Sequence, residues 1–209
     1  HCEPVLEHVP VHAHLALQIH ALFLFQLMGL NIAFLTGDLF NLFVFLEIGS
    51  LASYVLVGVA GGRSLYSAFR YLILGTIGAS LYLLGVGYFY AETGTLNMAD
   101  LAQRVALIDT VAPVGIRIAA VLLLMVFAVK AAVVPLHFWL PSSYSEAPAP
   151  VAALFGIMTK VGAYAIIRIY TMVFPPELET TGGLFGTWLL PVALIGLLIG
   201  MTGVLVRTG

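Results

Sequence analysis

Six apolar runs, each near twenty residues long and separated by short polar steps, decide the fold class of this chain. They occupy residues 15–35, 39–60, 69–90, 116–134, 151–174 and 188–206. About 20 apolar residues are enough for a helix to cross a hydrocarbon layer roughly 30 Å thick. In lipid the backbone must satisfy its own polar groups, and within a single segment only a helix does so. The chain therefore reads as an all-α integral membrane protein with about six transmembrane helices. Residues 15–209 form the transmembrane domain, behind a polar, histidine-containing juxtamembrane segment at 1–14.

Composition supports this reading. The chain is 61% hydrophobic and only 9% charged, against about 25% charged in soluble domains. A net charge of −2 leaves nothing to neutralise a phosphate backbone, which argues against a nucleic-acid partner. Cys2 is the single cysteine, so an internal disulfide is impossible. The residues ahead of the first run are acidic and histidine-containing rather than basic, and the run is long enough to span, so no signal peptide is visible. Beginning at His1 and stopping just past an apolar run, the chain reads as a piece of a longer membrane protein. An even number of spans puts both ends on the same side.

Three ionisable residues lie deep in these runs: Glu47, Lys130 and Lys160. A charge at the centre of a spanning helix costs about 2.5–3.5 kcal/mol on the most lenient scale, and such residues face a protein interior or a water cavity, marking ion or proton paths. Glu47 has Ser50 and Tyr54 at i+3 and i+7, one polar stripe on its helix. Lys130 precedes Pro135 by five residues. Proline lacks the N–H and clashes with the preceding turn, so the helix is expected to break just beyond Lys130. Broken helices near mid-membrane are recurrent transporter devices. A desolvated ammonium gives up its proton more readily, and a nearby carboxylate restores its hold, so a paired lysine reads as a switch. Lys160, with Tyr164 and Arg168 on the same face, is the strongest transport candidate by position. Arg168 reads as snorkelling to the interface.

The remaining features carry less. His137, beyond the proline, fits a proton relay or a structural hydrogen bond equally well. His20 reads as an interfacial anchor. His8, His12 and His14, near Cys2 and Glu3, match no standard zinc spacing, so no metal and no cofactor is expected. Residues 97–106 read as a short amphipathic interfacial helix, 141–150 as a loop, and Gly196/Gly200 as a weak helix-packing motif. Arginines divide three against three (Arg63, Arg70 and Arg207; Arg104, Arg117 and Arg168), so charge bias assigns no orientation.

The surroundings of the three charges carry a resemblance. Thr36-Gly37-Asp38-Leu39-Phe40-Asn41 leading to Glu47 resembles the glutamate helix of antiporter-like membrane subunits. Phe127-Ala128-Val129-Lys130 followed by Pro135-Leu136-His137-Phe138-Trp139-Leu140-Pro141 resembles their broken lysine helix. Ala147-Pro148-Ala149-Pro150-Val151 and Thr159-Lys160-Val161-Gly162-Ala163-Tyr164 resemble the next helix, with its central lysine. Gly94-Thr95-Leu96-Asn97-Met98-Ala99-Asp100 is similar to the D subunits of multisubunit (Mrp-type) sodium/proton antiporters.

That resemblance implies two inverted five-helix repeats in a larger bundle, of which this chain is roughly half. It implies a proton-conducting subunit of a multisubunit sodium/proton antiporter in the bacterial plasma membrane, a transporter rather than an enzyme. Its proton-transfer residues would be Glu47, Lys130, Lys160 and His137, with Glu47 and Lys130 forming an ion pair that opens and closes. Its partners would be other subunits of a hetero-oligomeric complex, the lipid bilayer, protons and sodium or another monovalent cation. It also implies that the Arg63/Arg70 loop is cytoplasmic. Ser142-Ser143 stands where the family commonly has an acid or amide, with Glu146 a partial substitute. Within the same fold, the alternative is a proton-pumping subunit of respiratory complex I or a hydrogenase. From other classes, the alternatives are a haem-binding subunit using His20 and His137, or a non-conducting structural piece.

Overall fold

A computed structural model describes residues 11–108, 113–174 and 183–207. Among them the elements run α1 (Val11–Leu35), α2 (Leu39–Gly58), α3 (Arg63–Thr93), α4 (Met98–Ala106), α5 (Val114–Lys130), a 3₁₀ turn (Leu136–Trp139), α6 (Leu140–Glu146), α7 (Ala149–Met172), a π-helical turn (Leu184–Leu189) and α8 (Leu190–Arg207). Five helices are long and apolar enough to cross a membrane. The fourth apolar run is the exception. Its helix, α5, stops after 17 residues, about 25 Å of rise, because the chain breaks after Lys130.

The break has a specific geometry. Ala131 caps α5 and Ala132 takes the left-handed conformation, φ 53°. The Val133 N–H donates to the Ala128 carbonyl at 2.9 Å and the Ala132 N–H to the Val129 carbonyl at 3.1 Å. This is the paired closure of a Schellman stop. The helix therefore ends ahead of Pro135, whose ring disfavours helical backbone at the residue before it. Left-handed backbone at a non-glycine residue costs roughly 1–2 kcal/mol, and the packing around the break must hold it in place. Trp139 Nε1 helps by donating to the Val129 carbonyl at 3.0 Å.

A second junction fixes the other side of the fold. Asp38 caps α2, its carboxylate accepting from the N–H groups of Phe40 at 2.8 Å and Asn41 at 2.9 Å. Asn97 caps α4 in the same way, through Ala99 and Asp100. The two caps form an antiparallel bridge, with the Leu39 N–H on the Leu96 carbonyl at 2.9 Å and the Met98 N–H on the Gly37 carbonyl at 2.8 Å. The start of the glutamate helix is thereby tied to the connection after α3. Gly94, at φ 69°, makes the left-handed turn that ends α3 and lets the chain reach this bridge.

Packing follows the order α1–α2–α3–α5–α7, with each helix against the next in that series. α1 and α2 approach closely at Gly29, where a Cβ would lie 2.8 Å from the Phe45 carbonyl oxygen. One core cluster joins Leu42, Leu46, Tyr82, Leu123, Phe127 and Val161; a second gathers Tyr54, Tyr71, Trp139 and Phe155. Against these, no described residue of α8 is buried, and Gly200 has open space around it.

Several expectations change. Residues 140–146 form a helix rather than a loop, because Pro141 sits in its first turn, where its missing N–H costs nothing. The Ser142 and Ser143 hydroxyls donate back to the Trp139 carbonyl at 3.2 and 2.8 Å. α4 does more than lie at an interface, since Met98, Leu101 and Val105 are fully buried in the core. α3 is 31 residues long and runs past its apolar stretch at both ends. Helix α1 begins at Val11, inside the segment read as juxtamembrane; Cys2, Glu3 and His8 lie outside the described residues, as do 175–182.

Candidate functional site

Lys130 is the last residue of α5, and the break exposes its side chain to α2. Its ammonium donates to Glu47 Oε1 at 3.1 Å and to Ser50 Oγ at 2.5 Å. Glu47 and Ser50 are one helical turn apart, so a single face of α2 supplies both partners. Ser50 passes its own proton to the Leu46 carbonyl at 2.7 Å, which leaves its oxygen lone pairs for the ammonium. The ion pair is largely enclosed, with side chains 10% and 20% exposed. Breaking such a pair by removing one partner leaves an uncompensated charge, at a cost of about 3–5 kcal/mol. The third member of the stripe, Tyr54, is buried with its hydroxyl unpartnered, set against Gly75 of α3.

α7 is held against the break by Gly162. A Cβ there would lie 2.5 Å from the Ala131 nitrogen and 2.8 Å from the Lys130 carbonyl carbon. This close approach sets the level of Lys160, two residues earlier. Lys160 itself is exposed, and among the described residues it has no hydrogen-bond or ion-pair partner. His137 lies in the 3₁₀ turn, half-buried, with Nδ1 enclosed and unpartnered. So Glu47 and Lys130 meet directly, whereas Lys160 and His137 occupy separate places around the break.

Arg168 reaches across to the end of α1. Its guanidinium donates to the Phe34 carbonyl at 3.1 Å, beside the Tyr164 hydroxyl, which donates to the same oxygen at 2.9 Å. Both satisfy an open carbonyl in the last turn of α1, where a cation is favoured. His20 is exposed on α1, its Nδ1 2.6 Å from the Ala16 carbonyl oxygen.

Three of the buried polar groups that escaped the sequence reading link to one another through Met158: Gln26, Ser53 and Tyr71. Gln26 of α1 is fully buried; its Nε2 donates to Met158 Sδ at 3.3 Å, and its Oε1 has no partner. The Tyr71 hydroxyl lies 3.4 Å from the same sulfur and 3.3 Å from Ser53 Oγ. Gln26 alone carried a usable signal, as the amide nearest the middle of the first run.

The order of these charged helices matches a known family. The family model for the transmembrane region of NADH:quinone oxidoreductase/Mrp antiporter proteins matches residues 36–209. The chain belongs to this family. It is 47% identical over 154 residues to the Na(+)/H(+) antiporter D subunit of Alkalihalophilus pseudofirmus, covering 73% of this chain and 31% of the relative. It is 54% identical over 156 residues to the NADH-quinone oxidoreductase N subunit of Desulforudis audaxviator, covering 74% of this chain and 30% of the relative. Among solved structures, the Mrp complex from Dietzia sp. DQ12-45-1b matches with a TM-score of 0.65 and 37% identity, over 75% of this chain and 29% of that one. The matched stretch thus covers about a third of the length of these family members. Its fold is that of the family's antiporter-like membrane proteins, all-helical among the described residues, with the break following Lys130.

Proposed function

We propose that this chain is the proton-conducting portion of one subunit of a multisubunit monovalent cation/proton antiporter, working in a bacterial plasma membrane as a transporter rather than an enzyme. The observation that carries this reading is the enclosed Lys130–Glu47 pair at a helix break, with Ser50 as the second ligand of the ammonium. Held by Glu47, the lysine keeps its proton. When the pair opens, the ammonium has lost its carboxylate partner and hands its proton on along the path. Lys160 is the next carrier, and its exposed side chain is available to a further part of the protein. His137, with one ring nitrogen unpartnered, relays protons at the break. The Arg63/Arg70 loop faces the cytoplasm. Sodium is the cation we assign, on the strength of the Na(+)/H(+) antiporter relative.

The test is transport by the assembled complex in inverted vesicles. Lys130→Ala and Glu47→Ala are each expected to abolish cation-dependent proton movement, and full activity in either variant overturns the reading. A second reading, a proton-pumping member of a quinone-linked respiratory complex, is favoured by the identity to the oxidoreductase N subunit. Purification with its native partners separates the two: iron–sulfur subunits in the complex favour the pump, small membrane subunits without them the antiporter.

A further inference from the structure

A row of buried polar groups runs from Lys130 across α2 and α3 to a sulfur atom of α7, with the Ser50 and Ser53 hydroxyls each held on a backbone carbonyl of α2. From the ammonium it passes to Ser50 Oγ. Ser53 Oγ, one turn on, gives its proton to the Ser50 carbonyl at 2.6 Å and lies 3.3 Å from the Tyr71 hydroxyl. Tyr71 has a single proton, and beyond Ser53 its neighbour is Met158 Sδ at 3.4 Å. Gln26 Nε2 reaches the same sulfur from α1 at 3.3 Å. A thioether has no proton to give and is a weak acceptor, so a proton arriving at Tyr71 goes no further. Gln26 Oε1, fully enclosed, has no donor among the described residues, and a buried amide oxygen ordinarily has one.

Met158 also stands at the entrance to a seam. α1 and α7 meet through Gln26 and Met158 at one level, and through the Phe34 carbonyl with Tyr164 and Arg168 at another. Lys160 falls between these levels on α7. The polar row and the α1–α7 seam therefore adjoin at Met158.

We propose that Met158 is a retractable plug in the proton path, and that Gln26 holds the water that replaces it. With Sδ on Gln26 and Tyr71 the path is closed. When the side chain turns away, which three rotatable bonds allow, water takes the place of the sulfur. It donates to Gln26 Oε1, accepts from the Tyr71 hydroxyl and joins Ser53 and Tyr71 to the α1–α7 seam. Gln26 and Met158 are positioning residues: neither changes charge. This inference rests on the proton-path reading above.

The full-length chain in its assembled complex tests it. Met158→Ala removes the plug, and a passive proton leak several-fold above wild type is expected without the exchanged cation. Adding Gln26→Leu is expected to return the leak to the wild-type level. Independently, Met158→Cys in a complex free of other cysteines reports water directly. A charged, water-soluble thiosulfonate is expected to label that variant, and Gln26→Leu to slow labelling about tenfold, since reaction needs an accessible thiolate. A wild-type leak in an assembled Met158→Ala complex overturns the proposal, as does an unlabelled Met158→Cys variant. Where Met158→Ala does not assemble, the labelling decides alone. Failure of the underlying reading looks different: Lys130→Ala would then still transport, whatever the labelling shows.

Discussion

Gly162 of α7 rests on the peptide that joins Lys130 to Ala131, so close that a Cβ would lie 2.5 Å from the Ala131 nitrogen. The contact is backbone against backbone, and neither side can turn aside. The placement of the switch lysine therefore depends on a residue with no side chain. Gly162→Ala is expected to push α7 from the break, costing about 1–3 kcal/mol as overpacking does. Lower heating midpoints and weaker transport in the assembled complex are the readouts; a wild-type midpoint would show that α7 does not approach this closely.

Ser50 accepts from the Lys130 ammonium, and hydrogen bonds to charged groups contribute about 1.5–3 kcal/mol. Ser50→Ala is expected to slow proton transport roughly ten- to a hundredfold, by the same free energy at the transfer step. Ser50→Thr keeps the hydroxyl and is expected to retain most of the rate. Equal rates for the two variants would remove Ser50 from the site.

The Phe34 carbonyl has two donors, Tyr164 and Arg168. Removing either, as Tyr164→Phe or Arg168→Gln, leaves the other in place and is expected to cost about 1 kcal/mol or less. The double variant leaves the carbonyl with neither and is expected to cost more than the sum, by about 1–3 kcal/mol. Additive shifts in heating midpoint would show that the two donors act independently.

Asp38 both caps α2 and belongs to the bridge with Asn97. Asp38→Ala is expected to destabilise by about 1 kcal/mol, the ordinary loss of an N-cap. Asp38→Asn preserves the accepting oxygen and is expected to be near neutral. Heating midpoints of the two variants distinguish a capping role from a requirement for charge.

Asp100, in the exposed connection at α4, has its carboxyl held below the usual range by hydrogen bonds from Arg104 and Thr95. A lowered acid contributes its stability above its ordinary range and loses it as pH falls through the folded-state value. Wild type and Asp100→Asn are thus expected to differ at neutral pH and converge in acid. The difference is small, since the pair with Arg104 is solvent-exposed. A gap in heating midpoint that widens in acid would contradict this assignment.

Much of the fold was legible because its governing interactions are local. Apolar runs near twenty residues marked the helices. Pro135, five residues after Lys130, marked a break, although the stop itself falls at Ala132, where no glycine announced left-handed backbone. Pro141 hid a helix by resembling a loop residue, since a proline in a first turn and a proline in a loop look alike in sequence. Of the site, Glu47 and Lys130 were recognisable from the cost of a charge in hydrocarbon. Their contact was implied by the family resemblance and not by the residues alone, because 83 residues separate them.

The amino-acid sequence by itself determined that the chain is helical, that its apolar runs are long enough to span a membrane, and that Glu47, Lys130 and Lys160 must be accommodated within those runs. Each follows from the energetics of one segment in its solvent. Only the tertiary structure decided that Ser50 joins Glu47 on the ammonium, that Arg168 turns inward to the Phe34 carbonyl, and that Gln26 and Tyr71 converge on Met158. Those outcomes depend on where separate helices pack, and packing is set by close approaches such as Gly29 and Gly162, whose effect appears only when two helices meet.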